Sequence, residues 1–197
     1  MINKTNDDVL IEIINFFESI FLLKRKSNGY AYANYKVEWL GQLGLSPSDR
    51  DEAKASRTTK KLQEHLKNKF GDRLCIEAPV AEGMTLRFAS DNLGNINIDS
   101  KKLQAFDILD TETGTAFEIS LSDAFAEFFK DVLKALLDSR VKQLYICMRN
   151  HSYKGSKKSG YLKVKDSQMV QQYITLVKLY KLDIFLVDLF PECNEGL

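Results

Sequence analysis

Residues 105–120 have the sequence AFDILDTETGTAFEIS, which predicts two short strands joined by a tight turn. Apolar and polar side chains alternate on both sides of the turn, as in a strand with one buried face. The turn contains a glycine, which easily adopts the backbone conformation that hairpins need. With Glu112 and Thr113 at the tip, Asp107 faces Glu118 across the ladder. Like charges opposite each other are destabilising, so the chain either tolerates this pair or binds a cation between the carboxylates.

The composition of the whole chain excludes several classes of protein. The 197 residues carry a formal net charge of +1, so any nucleic-acid-binding surface must be local. No apolar run approaches the length of a membrane span, and we see no secretory signal. Cys75, Cys147 and Cys193 match neither a zinc-site spacing nor a disulfide framework. We therefore expect a cytoplasmic protein that makes no contact with a membrane.

Residues 1–73 predict a helical N-terminal segment, either DNA-contacting or dimerising. An apolar helix is expected from a cap at Thr5 to about residue 26, with its apolar face in the core or at a dimer surface. Residues 39–45 indicate a short helix or the first half of a helix-turn-helix. A long basic helix follows and ends at Gly71, and its lysines form either a solvated face or a phosphate-contacting surface.

Residues 74–197 predict an α/β core. Short strands are expected at residues 74–78, 84–89 and 95–99, before the hairpin. After the hairpin come an amphipathic helix, a buried strand at 143–148, a polar loop, a helix capped by Asp166 or Ser167, and a strand at 183–190. A crossover helix normally makes the strands that it joins parallel. We therefore expect a mixed central sheet flanked by helices, in one compact unit with the N-terminal segment.

The two acids and this order of elements resemble the PD-(D/E)XK nuclease superfamily, which includes many type II restriction endonucleases. In that family an Asp lies on the second core strand, and a Glu or Asp, any residue and a Lys lie on the third. Asp107 matches the first acid and Glu118 the second, within a resemblance that spans residues 60–148. It implies a restriction-endonuclease-like core and Mg²⁺-dependent hydrolysis of phosphodiester bonds in double-stranded DNA.

The site departs from the family at Ser120, which stands at the position of the Lys and cannot supply a positive charge. Lys130, on the following helix, is the best replacement, whereas Lys134 lies one turn further and is less suited to reach back. The implied catalytic positions are Asp107, Glu118, Ser120 and Lys130. The implied Mg²⁺ ligands are Asp107, Glu118 and the backbone carbonyl of Ile119.

The polar loop after the strand at 143–148 is the best local candidate for DNA contact. Its basic side chains alternate with hydrogen-bonding groups, which suits phosphate positioning and base-edge recognition. The candidate DNA-binding residues are Arg149, Asn150, His151, Lys154, Lys157, Lys158 and Lys163. The alternative is a solvated loop without a ligand.

Two further interpretations stay open. Because Ser120 lacks the charge, the chain could be a catalytically decayed DNA-binding or regulatory subunit on the same fold. Glu64 could add a second-site carboxylate, or pair with a lysine on its own helix. A restriction enzyme would imply a homodimer and a cognate DNA methyltransferase in the same system, not as a physical partner. A nicking or repair nuclease would have a similar sequence pattern.

Overall fold

The computed structural model describes residues 7–27, 29, 31–80, 89–90, 96–97, 104–121, 125–149 and 160–191. The described N-terminal residues form helices together with a two-stranded antiparallel hairpin. In chain order these elements are α1 (Asp8–Ile20), β1 (Phe21–Arg25), β2 (Ala31–Tyr35), α2 (Val37–Gln42) and α3 (Asp51–Phe70).

The first helix is shorter than its apolar sequence predicts. Asp7 is its N-cap and accepts hydrogen bonds from the backbone N–H groups of Val9 and Leu10 at 3.1 Å; Thr5 lies outside the described residues. The helix ends at Ile20, and the chain continues as a strand. The N-terminal segment, expected to be helical, therefore also contains a hairpin that the sequence pattern does not predict. The hairpin forms because Phe21 pairs with Tyr35 across the ladder, with ring centroids 5.1 Å apart.

The central sheet has five strands among the described residues, in the order β3-β6-β7-β8-β9. Its strands are β3 (Leu74–Pro79), β6 (Ala105–Asp110), β7 (Thr115–Ser120), β8 (Gln143–Met148) and β9 (Asp183–Asp188), and β4 (Ala89–Ser90) pairs separately with β5 (Ile96–Asn97). The pairs β3–β6 and β6–β7 are antiparallel, whereas β7–β8 and β8–β9 are parallel. The helices are α4 (Phe125–Leu136), α5 (Gly160–Lys165) and α6 (Gln168–Val177). The expected mixed sheet flanked by helices is confirmed.

Several element boundaries agree with the sequence pattern and others do not. The strand at 143–148 has the expected bounds, and Ser167 caps α6. Helix α5 falls where only a polar loop is predicted. Of the two strands expected at 84–89 and 95–99, the described residues include only β4 and β5, each two residues long.

Both faces of the central sheet are covered by apolar side chains. On one face, Phe17 of α1 and Leu62 of α3 belong to the same buried cluster as Phe117 of β7 and Tyr145 of β8. On the other face, α4 and α6 pack against the sheet through a second cluster. The N-terminal part is therefore one layer of a single fold rather than an appendage. Among the described residues, we find no helix with both the length and the apolar character to cross a membrane.

Candidate active site

The two acids lie where the pairing of β6 with β7 stops. The ladder runs from Asp110–Thr115 to Ile108–Phe117, and the next position in this register places Asp107 opposite Glu118, as the hairpin sequence predicts. At that position the Asp107 carboxylate itself accepts the backbone N–H of Ile119, with 2.8 Å between Oδ2 and N. Both carboxylates therefore lie at the same end of neighbouring strands.

A cavity of about 420 Å³ opens between these strand ends, α3 and α4. Residues of α4 that are three or four positions apart line its wall, because such residues share one face of a helix. They are Glu127, Lys130, Asp131 and Lys134. The opposite face of α4 carries Phe128 and Val132, which are fully buried against the sheet. The amphipathic pattern of α4 therefore turns its charged face towards Asp107 and Glu118.

Lys134 is the cation in contact with Glu118. Its Nζ lies 2.5 Å from Glu118 Oε1 and 3.0 Å from Asp131 Oδ1, and it donates a hydrogen bond to the carbonyl oxygen of Ala105 at 3.0 Å. Only 5% of Lys134 is exposed. Lys130 lines the same cavity but pairs with Glu127. The expectation that Lys134 is less suited to reach back is therefore wrong, whereas the catalytic role of Lys130 stays a prediction.

The cavity holds more buried negative charge than positive charge. Burial raises the pKa of Glu118 well above its usual value, and the charges of Asp131 and Asp107 add to this, while Lys134 opposes it. Burial also raises the pKa of Asp131 to about 6. The pKa of Asp107 is raised by burial too, although the Ile119 N–H and Lys134 lower it. These shifts follow from placing several carboxylates close together out of water.

Lys134 stays protonated in these surroundings. Burial alone would lower the pKa of its ammonium, but the charges of Glu118 and Asp131 outweigh burial and raise it. One ammonium faces three buried or nearly buried carboxyl groups, so ionisation of all three leaves an excess of negative charge. A divalent cation would balance that excess.

The donor atoms of this cluster fit a hard cation such as Mg²⁺, which prefers oxygen ligands. The Ser120 carbonyl accepts the backbone N–H of Arg149, which follows β8. Because successive residues of a strand turn their backbone groups to opposite neighbours, the Ile119 carbonyl faces the side of Asp107. Within the described part of the chain, no three His, Cys, Asp or Glu side chains are arranged to hold a metal. A cation here would therefore rely on two carboxylates plus backbone and water oxygens.

Ser120 and Glu64 are the remaining residues for which the sequence suggests a role in catalysis. Ser120 is partly buried and lines the cavity, to which its side chain brings a hydroxyl but no charge. Glu64 lies outside this cavity and pairs with Lys61 on its own helix at 2.6 Å, which is the second of its two predicted arrangements.

The predicted DNA-contacting loop is described only at its two ends. Arg149 is 5% exposed, and its guanidinium lies over the ring of Tyr35 at 5.0 Å and 3.7 Å from Asp51. It is therefore an internal contact in this structure. Lys163 is exposed on α5. The loop residues that fall outside the described part of the chain are Asn150, His151, Lys154, Lys157 and Lys158.

Sequence reasoning missed the residues that α3 and β3 contribute to the cavity. Lys60 and Gln63 of α3 and Glu77 of β3 line it beside Asp107. The spacing of Lys60 and Gln63 places them on one face of α3, but the sequence does not say which face meets the strand ends. Lys60 is the basic residue of α3 in the lining of the candidate site, and it lines the neighbouring cavity as well.

Comparison with protein-family models, curated proteins and solved structures gives no match to this chain.

Proposed function

We propose that the chain is a Mg²⁺-dependent endodeoxyribonuclease that hydrolyses phosphodiester bonds in double-stranded DNA, of the type II restriction class. One observation carries the proposal. Asp107 and Glu118 lie at the same end of adjacent strands, and a buried ammonium contacts Glu118 in a shared cavity. The strand order and the helix between β7 and β8 also support a restriction-endonuclease-like core.

Each residue of the cavity has a role in this chemistry. Asp107, Glu118 and the Ile119 carbonyl would hold Mg²⁺, which, when bound, polarises the scissile phosphate and lowers the pKa of a bound water. Lys134 supplies the positive charge that Ser120 lacks. Its ammonium is held by Glu118 and Asp131, so it is already oriented when negative charge develops on the phosphate.

Lys60 and Lys130 add positive charge along the cavity wall. Lys130 is partly exposed and paired with Glu127, so it can exchange that partner for a DNA phosphate at little cost. Ser56 and Thr59 add short hydroxyl side chains to the lining of the cavity. Phosphate oxygens are commonly bound by such groups. A phosphodiester strand therefore suits this wall better than a small carboxylate substrate.

The experiment is cleavage of supercoiled plasmid and duplex oligonucleotides at low salt with Mg²⁺ or Mn²⁺. Asp107→Asn and Glu118→Gln should each reduce cleavage by at least about 100-fold, the order lost when a group that stabilises the transition state is removed. Glu64→Gln removes an exposed carboxylate that does not line the cavity and serves as the matched control. Equal cleavage by all three variants would contradict the proposal.

A second pair of variants shows which lysine supplies the positive charge. Lys134→Met should abolish cleavage, whereas Lys130→Met should reduce it by less than about tenfold, because only Lys134 contacts Glu118. Circular dichroism and thermal unfolding check that each variant is folded, since Lys134→Met leaves two buried acids without their partner. The reverse ranking would assign the role to Lys130, as the resemblance first suggests.

The second candidate function is a catalytically decayed DNA-binding or regulatory subunit. Ser120 favours it, because the usual cation is absent from that position, and Lys134 occupies one oxygen of Glu118. DNA binding without cleavage in either metal would support it, and absence of both would reject both candidates. A restriction role would also imply a homodimer, a cognate DNA methyltransferase in the same system and a cytoplasmic location.

A further inference from the structure

Asp107 lies at an interruption of the sheet on its other side as well. Strand β3 pairs with β6 through Ile76–Ile108 and Ala78–Phe106, but the position between them, Glu77 opposite Asp107, is not paired. Glu77 has a φ of +47°, a conformation that L-residues rarely adopt. The backbone of β3 therefore turns out of the ladder next to the candidate catalytic acid.

Gln63 supplies the hydrogen bond at this interruption. Its Nε2 donates to the backbone carbonyl oxygen of Asp107 at 3.1 Å, across 44 positions of sequence. A backbone carbonyl in a buried sheet needs a donor, and an amide side chain from α3 provides one here. Asp107 is thus bonded through its carbonyl to α3 and through its carboxylate to β7.

The donor itself is firmly placed. Gln63 is 6% exposed, and Leu62 and Leu66 on the same helix are fully buried in the core cluster. Because those contacts fix α3, they also fix the position from which the Gln63 side chain reaches Asp107. A donor on a rigid helix can hold the backbone that carries a functional side chain.

We propose that Gln63 is a positioning residue, which holds the Asp107 backbone so that its carboxylate stays at the cation site. The inference rests on the proposed function, because it assumes that Asp107 binds a divalent cation. Residues that support metal ligands from behind typically change metal affinity by about 10–100-fold when they are replaced. Gln63 acts through Asp107 and needs no contact with the cation.

The test measures cation affinity rather than cleavage. Mn²⁺ binding to the full-length protein is followed by isothermal titration calorimetry for the parent, Gln63→Met and Glu118→Gln. Gln63→Met keeps the length and packing of the side chain but removes the donor, so the Kd for Mn²⁺ should rise about 10–100-fold. Gln171→Met is the matched control. Gln171 lies on α6, and its side-chain amide also donates to a backbone carbonyl oxygen, that of Lys165, at 2.9 Å.

The outcomes separate this inference from the proposed function. If the parent binds Mn²⁺ and Gln63→Met binds it within twofold, Gln63 is a structural residue only and the inference is wrong. If the parent binds no Mn²⁺, the cation site and this inference both fail. Should Gln63→Met not fold, Gln63→Asn replaces it, because Asn keeps the amide but is one methylene too short for the contact. A Kd for Mn²⁺ about 10–100-fold above the parent's would then support the inference, and one within twofold would contradict it.

Discussion

At the scale of single residues, two buried aspartates show how the partner decides the cost of ionisation. Burial raises the pKa of Asp110, but hydrogen bonds from Arg73 and from the Glu112 N–H outweigh it, so the pKa lies below the usual 3.8. The Arg73 guanidinium donates to Asp110 Oδ2 at 2.7 and 3.0 Å. Asp131 shares one ammonium with Glu118, and burial raises its pKa to about 6.

These opposite shifts predict opposite pH dependences of stability. Ionised Asp110 stabilises the fold above pH 3.8, and this contribution is lost as the pH falls through its lower folded pKa. Asp131 behaves in the reverse sense, because its contribution is fullest below 3.8 and is lost as the pH rises through about 6. Asp131→Asn should therefore gain stability over the parent, and the gain should be larger near pH 8 than near pH 5.

Urea unfolding in the presence of a chelator measures both effects. Asp110→Asn is the comparison variant and should lose about 2 kcal/mol near neutral pH, because Arg73 then lacks its buried partner. An Asp131→Asn variant whose gain is the same at both pH values would contradict the assignment. So would an Asp110→Asn variant that is as stable as the parent near pH 7.

At the scale of elements, the sequence predicts best where pattern and turn chemistry agree. The hairpin of β6 and β7 has its expected register because the short turn between the strands fixes which residues pair. The first hairpin is missed because the apolar run of α1 continues through Phe21 and hides the end of the helix. The tyrosine that pairs with it is 14 residues away in sequence, Tyr35.

The site shows the same division between local and long-range information. Asp107 and Glu118 follow from the hairpin alone. Lys134 does not, because its contact depends on how α4 crosses the sheet near Ala105. Gln63 depends on a contact 44 residues away in sequence, which no periodicity reveals.

The turn of the hairpin gives a prediction at this scale. Gly114 has a φ of +72°, and a Cβ there would lie 2.5 Å from the backbone oxygen of Arg140. Gly114→Ala should therefore cost about 2–4 kcal/mol, from a left-handed backbone and a backbone clash together. Gly44→Ala is the control, because its φ is +65° and the nearest atom is a side-chain nitrogen of Arg57 at 3.6 Å. It should cost about 1–2 kcal/mol.

Chemical denaturation of the two glycine variants gives the comparison. The difference between them measures the clash with Arg140, since both carry the same type of backbone strain. Equal losses of unfolding free energy would mean that the loop at Arg140 moves aside, and the close approach of Gly114 to Arg140 would then not contribute to the cost of the substitution.

At the scale of the whole molecule, the candidate site needs both layers that cover the sheet. The α4 side supplies Asp131 and Lys134, and the α3 side supplies Lys60 and Gln63. Arg73 joins the α1 side to the sheet at the far end of β6, because its guanidinium donates to Asp8 at the start of α1 and to Asp110 on the strand. A fold assembled in this way should unfold as one unit.

The fragment 74–197 tests that unity, because it contains every strand of the central sheet but lacks α1 and α3. Without them, the inner face of the sheet exposes Ile108, Phe117, Tyr145 and other buried side chains. Exposing one such side chain costs about 1.5–3 kcal/mol of folding free energy, so exposing any four of this cluster costs roughly 6–12 kcal/mol. That loss is comparable to the whole stability of a typical domain, about 5–15 kcal/mol.

The fragment alone should show no cooperative thermal transition, whereas fragment 1–73 added in trans should restore one. A cooperative transition in the isolated fragment would show that the N-terminal layer is dispensable for folding. Residues 74–197 would then fold by themselves, and α3 would only add its side chains to the cavity.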